Sequence, residues 1–250
     1  MNSSPQGHLF IIGAQRSATT QLVQQLDSHP SISMAVPQHP EPKWFLKPDG
    51  NNDIDAYLRM HFPRDTTNLW LGEKSTSYLE NPEVAKRINI NIDNPHIFVI
   101  LRDPIERAIS NFHYSVMNGA EMRTLEEALE PGGTGSTPLW DEANFSASPF
   151  AYLERGLYSQ LLMPWLDIFG EDLHILMFEE VVQGYGARRV ASYLGLSGWE
   201  FEVPKTPVNS APRNGPKPTC GLRKSLREFF EGPNRELSNT FDIENTHWCN

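Results

Sequence analysis

The residues with the clearest chemical promise lie between His8 and Pro30, HLFIIGAQRSATTQLVQQLDSHP. A short apolar run, Leu9–Ile12, ends in a small, polar turn, Gly13–Ala18. Two threonines then open a pattern that sets Leu22, Val23 and Leu26 on one helical face. The reading is strand, turn, helix. A helix start presents unpaired backbone N–H groups and the positive end of its dipole, which suits such a turn to holding a phosphate or sulfate. Gln15, Arg16, Ser17, Ala18, Thr19 and Thr20 would line the cradle, with Arg16 as a fixed positive charge and the threonines as hydroxyl donors.

A nucleotide phosphate loop, GxxxxGK[ST], is the first comparison. Aligned on Gly13, this chain has Ala18 at the second glycine and Thr19 at the lysine, and its cation has moved into the turn at Arg16. A triphosphatase also needs a magnesium-binding carboxylate at the end of a later strand. The best later strand, Ile97–Leu101, ends in Arg102-Asp103-Pro104, where arginine leads and Asp103 is placed to cap the next helix. The turn therefore has a phosphate loop's shape without its metal-dependent parts. The same segment, LRDPIERAISNFHY, offers a second anion site. Arg102 at a strand end and Ser110 two turns into a helix are able to converge on one phosphate. The competing reading pairs Asp103 with Arg107 on the helix surface and leaves Arg102 in solvent.

Around these residues the pattern predicts helices over Ile54–His61, Pro82–Ile90, Pro104–Met117, Thr124–Leu129, Tyr158–Phe169, Glu179–Leu194 (interrupted near Gly184–Gly186) and Leu222–Phe230. It predicts strands over Leu69–Lys74, Ile97–Leu101 and Leu173–Met177. Strands alternating with helices imply an α/β fold: one domain over residues 1–250, with a central parallel sheet and helices on both faces. Ligands in such sheets sit at the carboxyl ends of strands, where the Gly13 turn, Lys74 and Arg102 all fall. Residues 131–149 read as a flexible insertion or lid, and 204–219 as a proline-rich loop.

The formal net charge of −10 argues against a nucleic-acid partner and weakly against a highly sulfated polyanion. No apolar run approaches the roughly 20 residues needed to cross a bilayer. No CxxC or histidine-rich cluster suggests a metal. The two cysteines, Cys220 and Cys249, make no disulfide framework, although one bond between them stays open. The plain expectation is a cytoplasmic enzyme without a membrane anchor, and oligomeric state is not legible.

Read together, GAQRSATT and LRDPIERAIS resemble the 5′-phosphosulfate loop and the 3′-phosphate element of the 3′-phosphoadenosine 5′-phosphosulfate (PAPS)-dependent sulfotransferases. The pattern is nearest to the glycan, heparan-type branch and to the bacterial small-molecule enzymes. HPEPKWF is similar to the segment supplying the acceptor-activating carboxylate, and GEKSTSYL to the branch's EK[ST]PxYF segment. RGLYSQLLMPWLDIFGEDLHILMFEE is similar to its middle helix–strand unit. APRNGPKP and LREFFEGPNREL are similar to its cofactor-covering loop and last helix. These segments, in the right order, span nearly the whole chain. Departures are Arg16 for the heparan enzymes' usual lysine, Pro40 for a lysine before the carboxylate, Thr76 where proline is common, and a C-terminal loop without the family's lysine-glycine-arginine order.

The resemblance implies sulfuryl transfer from PAPS, leaving adenosine 3′,5′-bisphosphate (PAP), to a hydroxyl or amine of a small metabolite or saccharide, with no metal. It gives Glu41 the acceptor proton, Lys74 and Arg16 the transferring group, and Arg102, Ser110, Gly215 and either Arg213 or Lys217 the 3′-phosphate. His39, Lys43, Trp44 and Tyr78 would contact the acceptor. Each has a plainer alternative. Glu41 lies in a polar loop where most carboxylates are solvated, and His39 is a competing base. Trp44, Phe45 and Tyr78 serve equally as core. Adjacent strand residues face opposite sides, so one of Glu73 and Lys74 should enter the cleft and the other turn away. Two other function classes compete: a P-loop-type nucleotide or small-molecule kinase, and a non-catalytic nucleotide-binding module.

Overall fold

A computed structural model describes residues 5–47, 53–63, 69–133, 140–141, 146–196, 198–204, 215–243 and 248. In chain order the elements are β1 (Gly7–Gly13), α1 (Thr19–Leu26), β2 (Ile32–Met34), α2 (Ile54–His61), β3 (Trp70–Lys74), α3 (Pro82–Asn91), β4 (Pro95–Leu101), α4 (Pro104–Met117), α5 (Leu125–Leu129), β5 (Trp140–Asp141), β6 (Ser146–Ala147), α6 (Tyr158–Phe169), β7 (Leu173–Met177), α7 (Phe178–Val182), α8 (Tyr185–Tyr193) and α9 (Cys220–Phe241). The chain divides into two compact units, Met1–Leu101 with Pro164–Asn209, and Arg102–Met163 with Ser210–Asn250.

The first unit is built on a five-stranded sheet in the order β2-β3-β1-β4-β7, with every neighbouring pair parallel. The apolar runs of β1 and β4 are wholly buried, as strands covered on both faces must be. On one face Leu9, Ile11, Phe98, Ile100 and Leu176 pack against Leu22, Val23 and Leu26 of α1, Val181 of α7 and Val190 of α8. On the other, Phe10 meets the Phe45 ring edge-on, and the Trp165 indole N–H donates to the Leu79 carbonyl. The chain leaves β1 toward β2 and β3, then crosses to β4 and β7. The carboxyl end of β1 is therefore the switch point where open α/β sheets hold ligands. Gly13 ends β1 at that edge, Lys74 ends β3 and Leu101 ends β4.

Local sequence explains most boundaries. Asn81 accepts from the Glu83 N–H and Asp103 from those of Ile105 and Glu106, while Thr124 and Glu127 cap α5 reciprocally. Two features differ from expectation. Ile32–Met34 forms a short edge strand, too brief to show alternation. The interruption expected near Gly184–Gly186 is present: the Glu179–Leu194 stretch is two helices, α7 and α8, divided at Gly184, whose φ of 88° no helix contains. The last helix begins earlier than expected and runs on to Phe241 instead of stopping at Phe230. Gly232-Pro233 reads as a stop, but the buried stripe of Leu222, Leu226, Phe230, Asn234 and Leu237 continues across it, and packing outweighs the hydrogen bond that Pro233 removes.

The second unit has its own core: Ile105, Ala108 and Phe112 of α4, Leu125 and Leu129 of α5, Tyr152, and Leu222, Leu226 and Phe230 of α9. Arg107 turns into this core, donating to Asn111 Oδ1 and to the Tyr152 carbonyl. In the expected lid, β5 and β6 pair antiparallel, whereas residues 134–139 and 142–145 lie outside the described residues. Cys220 is an exposed free thiol, and Cys249 lies outside the described residues. Among the described residues no helix is long and apolar enough to cross a membrane.

Gly184 holds the turn between α7 and α8 by conformation and by space. A Cβ there would stand 2.3 Å from Val203 Cγ2, at a φ that L-residues disfavour. Gly184→Ala should lower stability by roughly 1–2 kcal/mol, measured by urea denaturation.

Candidate active site

The candidate anion cradle is the turn after β1. Arg16 and Ala18 adopt left-handed conformations, φ 70° and 61°. Left-handed residues interspersed in a turn aim successive N–H groups inward as an anion nest. Ala18 takes the conformation that glycine would supply at this point of a phosphate loop. No side chain caps α1, and the Ser17 hydroxyl is buried without a hydrogen-bond partner among the described residues. A buried hydroxyl lacking an acceptor beside an uncapped helix start fits a phosphosulfate or phosphate ligand. Gly13 keeps the turn close to Leu79, whose Cβ and Cδ2 would both lie 3.0 Å from an added Cβ.

Lys74 ends the strand beside β1, in register with Ile11. Its ammonium lies 2.9 Å from Glu41 Oε1, and both side chains are largely buried. Thr76 completes the grip on the same carboxylate: its backbone N–H donates to Oε2 at 2.9 Å, and its hydroxyl lies 3.1 Å from each oxygen. The structure thus joins Glu41 and Lys74, which are 33 positions apart by number. Thr76 was noted in the sequence only as standing in a proline position. Proline would supply neither the N–H nor the hydroxyl. His39 is exposed, and Lys43 is half-buried in a left-handed conformation, φ 51°.

Glu73, next to Lys74, faces the other way, as strand alternation requires. Its carboxylate is 1% exposed and accepts three hydroxyls: Ser75 at 2.7 Å and Tyr78 at 2.5 Å on Oε1, and Tyr57 at 2.9 Å on Oε2. Burial raises its pKa to about 7, against the lowering effect of those hydrogen bonds. The phenols of Tyr57 and Tyr78 are pushed up by burial and by the Glu73 charge. Tyr78 is wholly buried, and Trp44 packs on Tyr57 and His61.

In the second unit α4 organises the candidate 3′-phosphate residues. Arg102 precedes the helix and its carbonyl accepts the Tyr158 hydroxyl at 3.0 Å, while Ser110 lies inside the helix, 8% exposed. His113, one turn beyond Ser110, lies 2.9 Å from the Pro216 carbonyl through Nε2, and a Cβ on Gly215 would meet its ring at 2.7 Å. The Gly215–Lys217 stretch is thereby brought to the helix that carries Ser110. Nothing in the sequence marked His113 except its helical spacing from Ser110. Arg213 lies outside the described residues. Among the described residues, His96, Asp172 and His174 form a group whose ligand atoms lie within 4.8 Å of one another. They stand where β4 and β7 begin, the opposite sheet edge from Lys74.

This is the sulfotransferase fold. The crystal structure of a sulfotransferase from Alicyclobacillus acidocaldarius superposes with a TM-score of 0.76 over 97% of this chain and 98% of that one, at 24% identity. The chain is also similar in sequence to curated sulfotransferases. It is 32% identical over 219 residues to the bifunctional heparan sulfate N-deacetylase/N-sulfotransferase 1 of Caenorhabditis briggsae, a match covering 83% of this chain and 24% of that protein. It is 31% identical over 113 residues to the membrane-associated sulfotransferase kil1 of Dictyostelium discoideum, covering 44% and 23%. The chain thus spans about a quarter of the length of these two relatives. No protein-family model matches it.

Glu73 makes stability fall as pH rises toward neutrality. With its pKa raised from 4.5 to about 7, the folded protein keeps a proton that the unfolded chain has released in that window. Its contribution to stability is full below 4.5 and lost as pH rises through 7. Glu73→Gln removes this dependence. Its stability relative to the parent should rise by on the order of 2–3 kcal/mol between about pH 5 and 8, in urea denaturation of both proteins at each pH.

Proposed function

We propose that the protein transfers a sulfuryl group from PAPS to a hydroxyl or amine of a small metabolite or saccharide, releasing PAP. One observation carries the reading: a carboxylate and an ammonium are paired at 2.9 Å at the end of β3, beside the strand that ends in the anion turn. A base for the acceptor and a cation for the transferring group are the two side chains such a displacement requires. Relatives named as heparan sulfate and carbohydrate sulfotransferases support saccharide-like acceptors.

In this reading the turn N–H groups, Gln15, Arg16, Ser17, Thr19 and Thr20 hold the donor's 5′-phosphosulfate, with the backbone of Ala18. Arg102, Ser110, Gly215 and one of Arg213 or Lys217 hold its 3′-phosphate. Glu41 takes the acceptor's proton as acceptor oxygen or nitrogen bonds to sulfur. The bond from sulfur to the donor's phosphate oxygen breaks, and its electron pair leaves on PAP. Lys74 and Arg16 stabilise the charge on the transferring and leaving oxygens. A sulfuryl group carries less negative charge than a phosphoryl group, so side-chain cations and N–H groups suffice for it. When Lys74 turns from Glu41 to the donor, the two donors of Thr76 keep the carboxylate in place.

Glu41→Ala should lower turnover about 10²-fold or more, while calorimetric affinity for PAP stays nearly unchanged. Transfer of labelled sulfate from PAPS provides the readout, using an acceptor found by screening. Unchanged turnover would reject Glu41 as the base.

A further inference from the structure

Glu73 takes no part in the proposed chemistry, yet it is the most heavily bonded buried carboxylate near the site. What its hydroxyl partners do with their own oxygens is the informative point. The Ser75 hydroxyl donates to Glu73 and accepts the Lys43 backbone N–H at 2.9 Å. The Tyr78 hydroxyl donates to Glu73 and accepts the Phe45 backbone N–H at 3.1 Å. Lys43 and Phe45 lie two and four residues after Glu41, on a segment with no sheet or α-helix hydrogen bonds of its own around the glutamate. We infer that Glu73 is a positioning residue for the base: it orients the Ser75 and Tyr78 hydroxyls so that their oxygens hold the backbone that carries Glu41.

A hydroxyl has one proton. Committed to Glu73, it leaves the oxygen lone pairs of Ser75 and Tyr78 aimed at the two amides. Both side chains are fully buried, so no water competes for either bond. Removing the acceptor would strand two hydroxyl protons in a dry pocket, and the side chains would turn to satisfy them, releasing the segment. Tyr57 is the internal contrast. It donates to the same carboxylate, at 2.9 Å and fully buried, but among the described residues its oxygen receives no backbone N–H. Three hydroxyls share one buried acceptor, and only two reach the base. A structural role for Glu73 treats the three alike, whereas a positioning role separates them.

The proposal rests on Glu41 acting as the base, so the test carries one arm that depends on this and one that does not. Tyr78→Phe, Ser75→Ala and Tyr57→Phe are each made in the parent and in Glu41→Ala, and kcat, PAP affinity and Tm are measured. Tyr78→Phe and Ser75→Ala should each lower kcat about tenfold at unchanged PAP affinity. Tyr57→Phe should keep kcat within about twofold despite a comparable loss of Tm. In Glu41→Ala, Tyr78→Phe should cause no further loss. Equal losses of kcat in all three variants, or a Tyr78→Phe loss that persists without Glu41, would overturn the inference. Amide hydrogen exchange is the second arm. Lys43 should exchange faster in Ser75→Ala and Phe45 faster in Tyr78→Phe, with neither changed by Tyr57→Phe. If Glu41→Ala remains fully active, the base reading fails, and exchange alone decides the relay: unchanged exchange at both amides overturns it.

Discussion

A carboxylate on an irregular segment must be held by bonds from outside that segment. Glu41 is held by Lys74 and Thr76, residues at and just beyond the end of β3. The sheet fixes where β3 ends, because Lys74 is in register with Ile11 of the central strand. The strand order then sets that end beside the anion turn. In the proposed reading, it is the contact between Glu41 and the end of β3 that sets a base beside the turn.

The contact costs desolvation of two charges, which is tolerated because both are paired and hydrogen-bonded. Behind it lies a third charge-bearing group, Glu73, whose burial raises its pKa to about 7. Two carboxylates on either side of one strand thus have different environments. Glu41 meets an ammonium, an amide N–H and one hydroxyl, and Glu73 meets three hydroxyls. The proposal gives the first the chemistry and the second the frame.

Much of this was legible in the sequence, for physical reasons. The strand–turn–helix at Gly13 shows because an apolar run, small residues and helical spacing follow one another within a few residues. Caps at Asn81, Asp103 and Thr124 are local devices and read locally. Glu41 and Lys74 were each legible by resemblance, but their 2.9 Å contact is long-range and no spacing rule gives it. The Glu73 network was hidden for the same reason, since Tyr57, Ser75 and Tyr78 converge only after folding. Thr76 was visible as a departure from a pattern, and its meaning came from its two bonds to Glu41. The length of α9 was not legible because the buried stripe that carries the helix across Gly232-Pro233 forms only on folding.

In the proposed reading, the Gly13 turn and Arg102 with Ser110 hold the two phosphate groups that distinguish a 3′-phosphorylated adenosine nucleotide from a triphosphate. Calorimetric titration of the protein with PAP and with ATP under identical buffer and salt measures that distinction directly. The account predicts PAP binding at least about tenfold tighter than ATP, with or without a metal chelator. Tighter binding of ATP, dependent on magnesium, would contradict it.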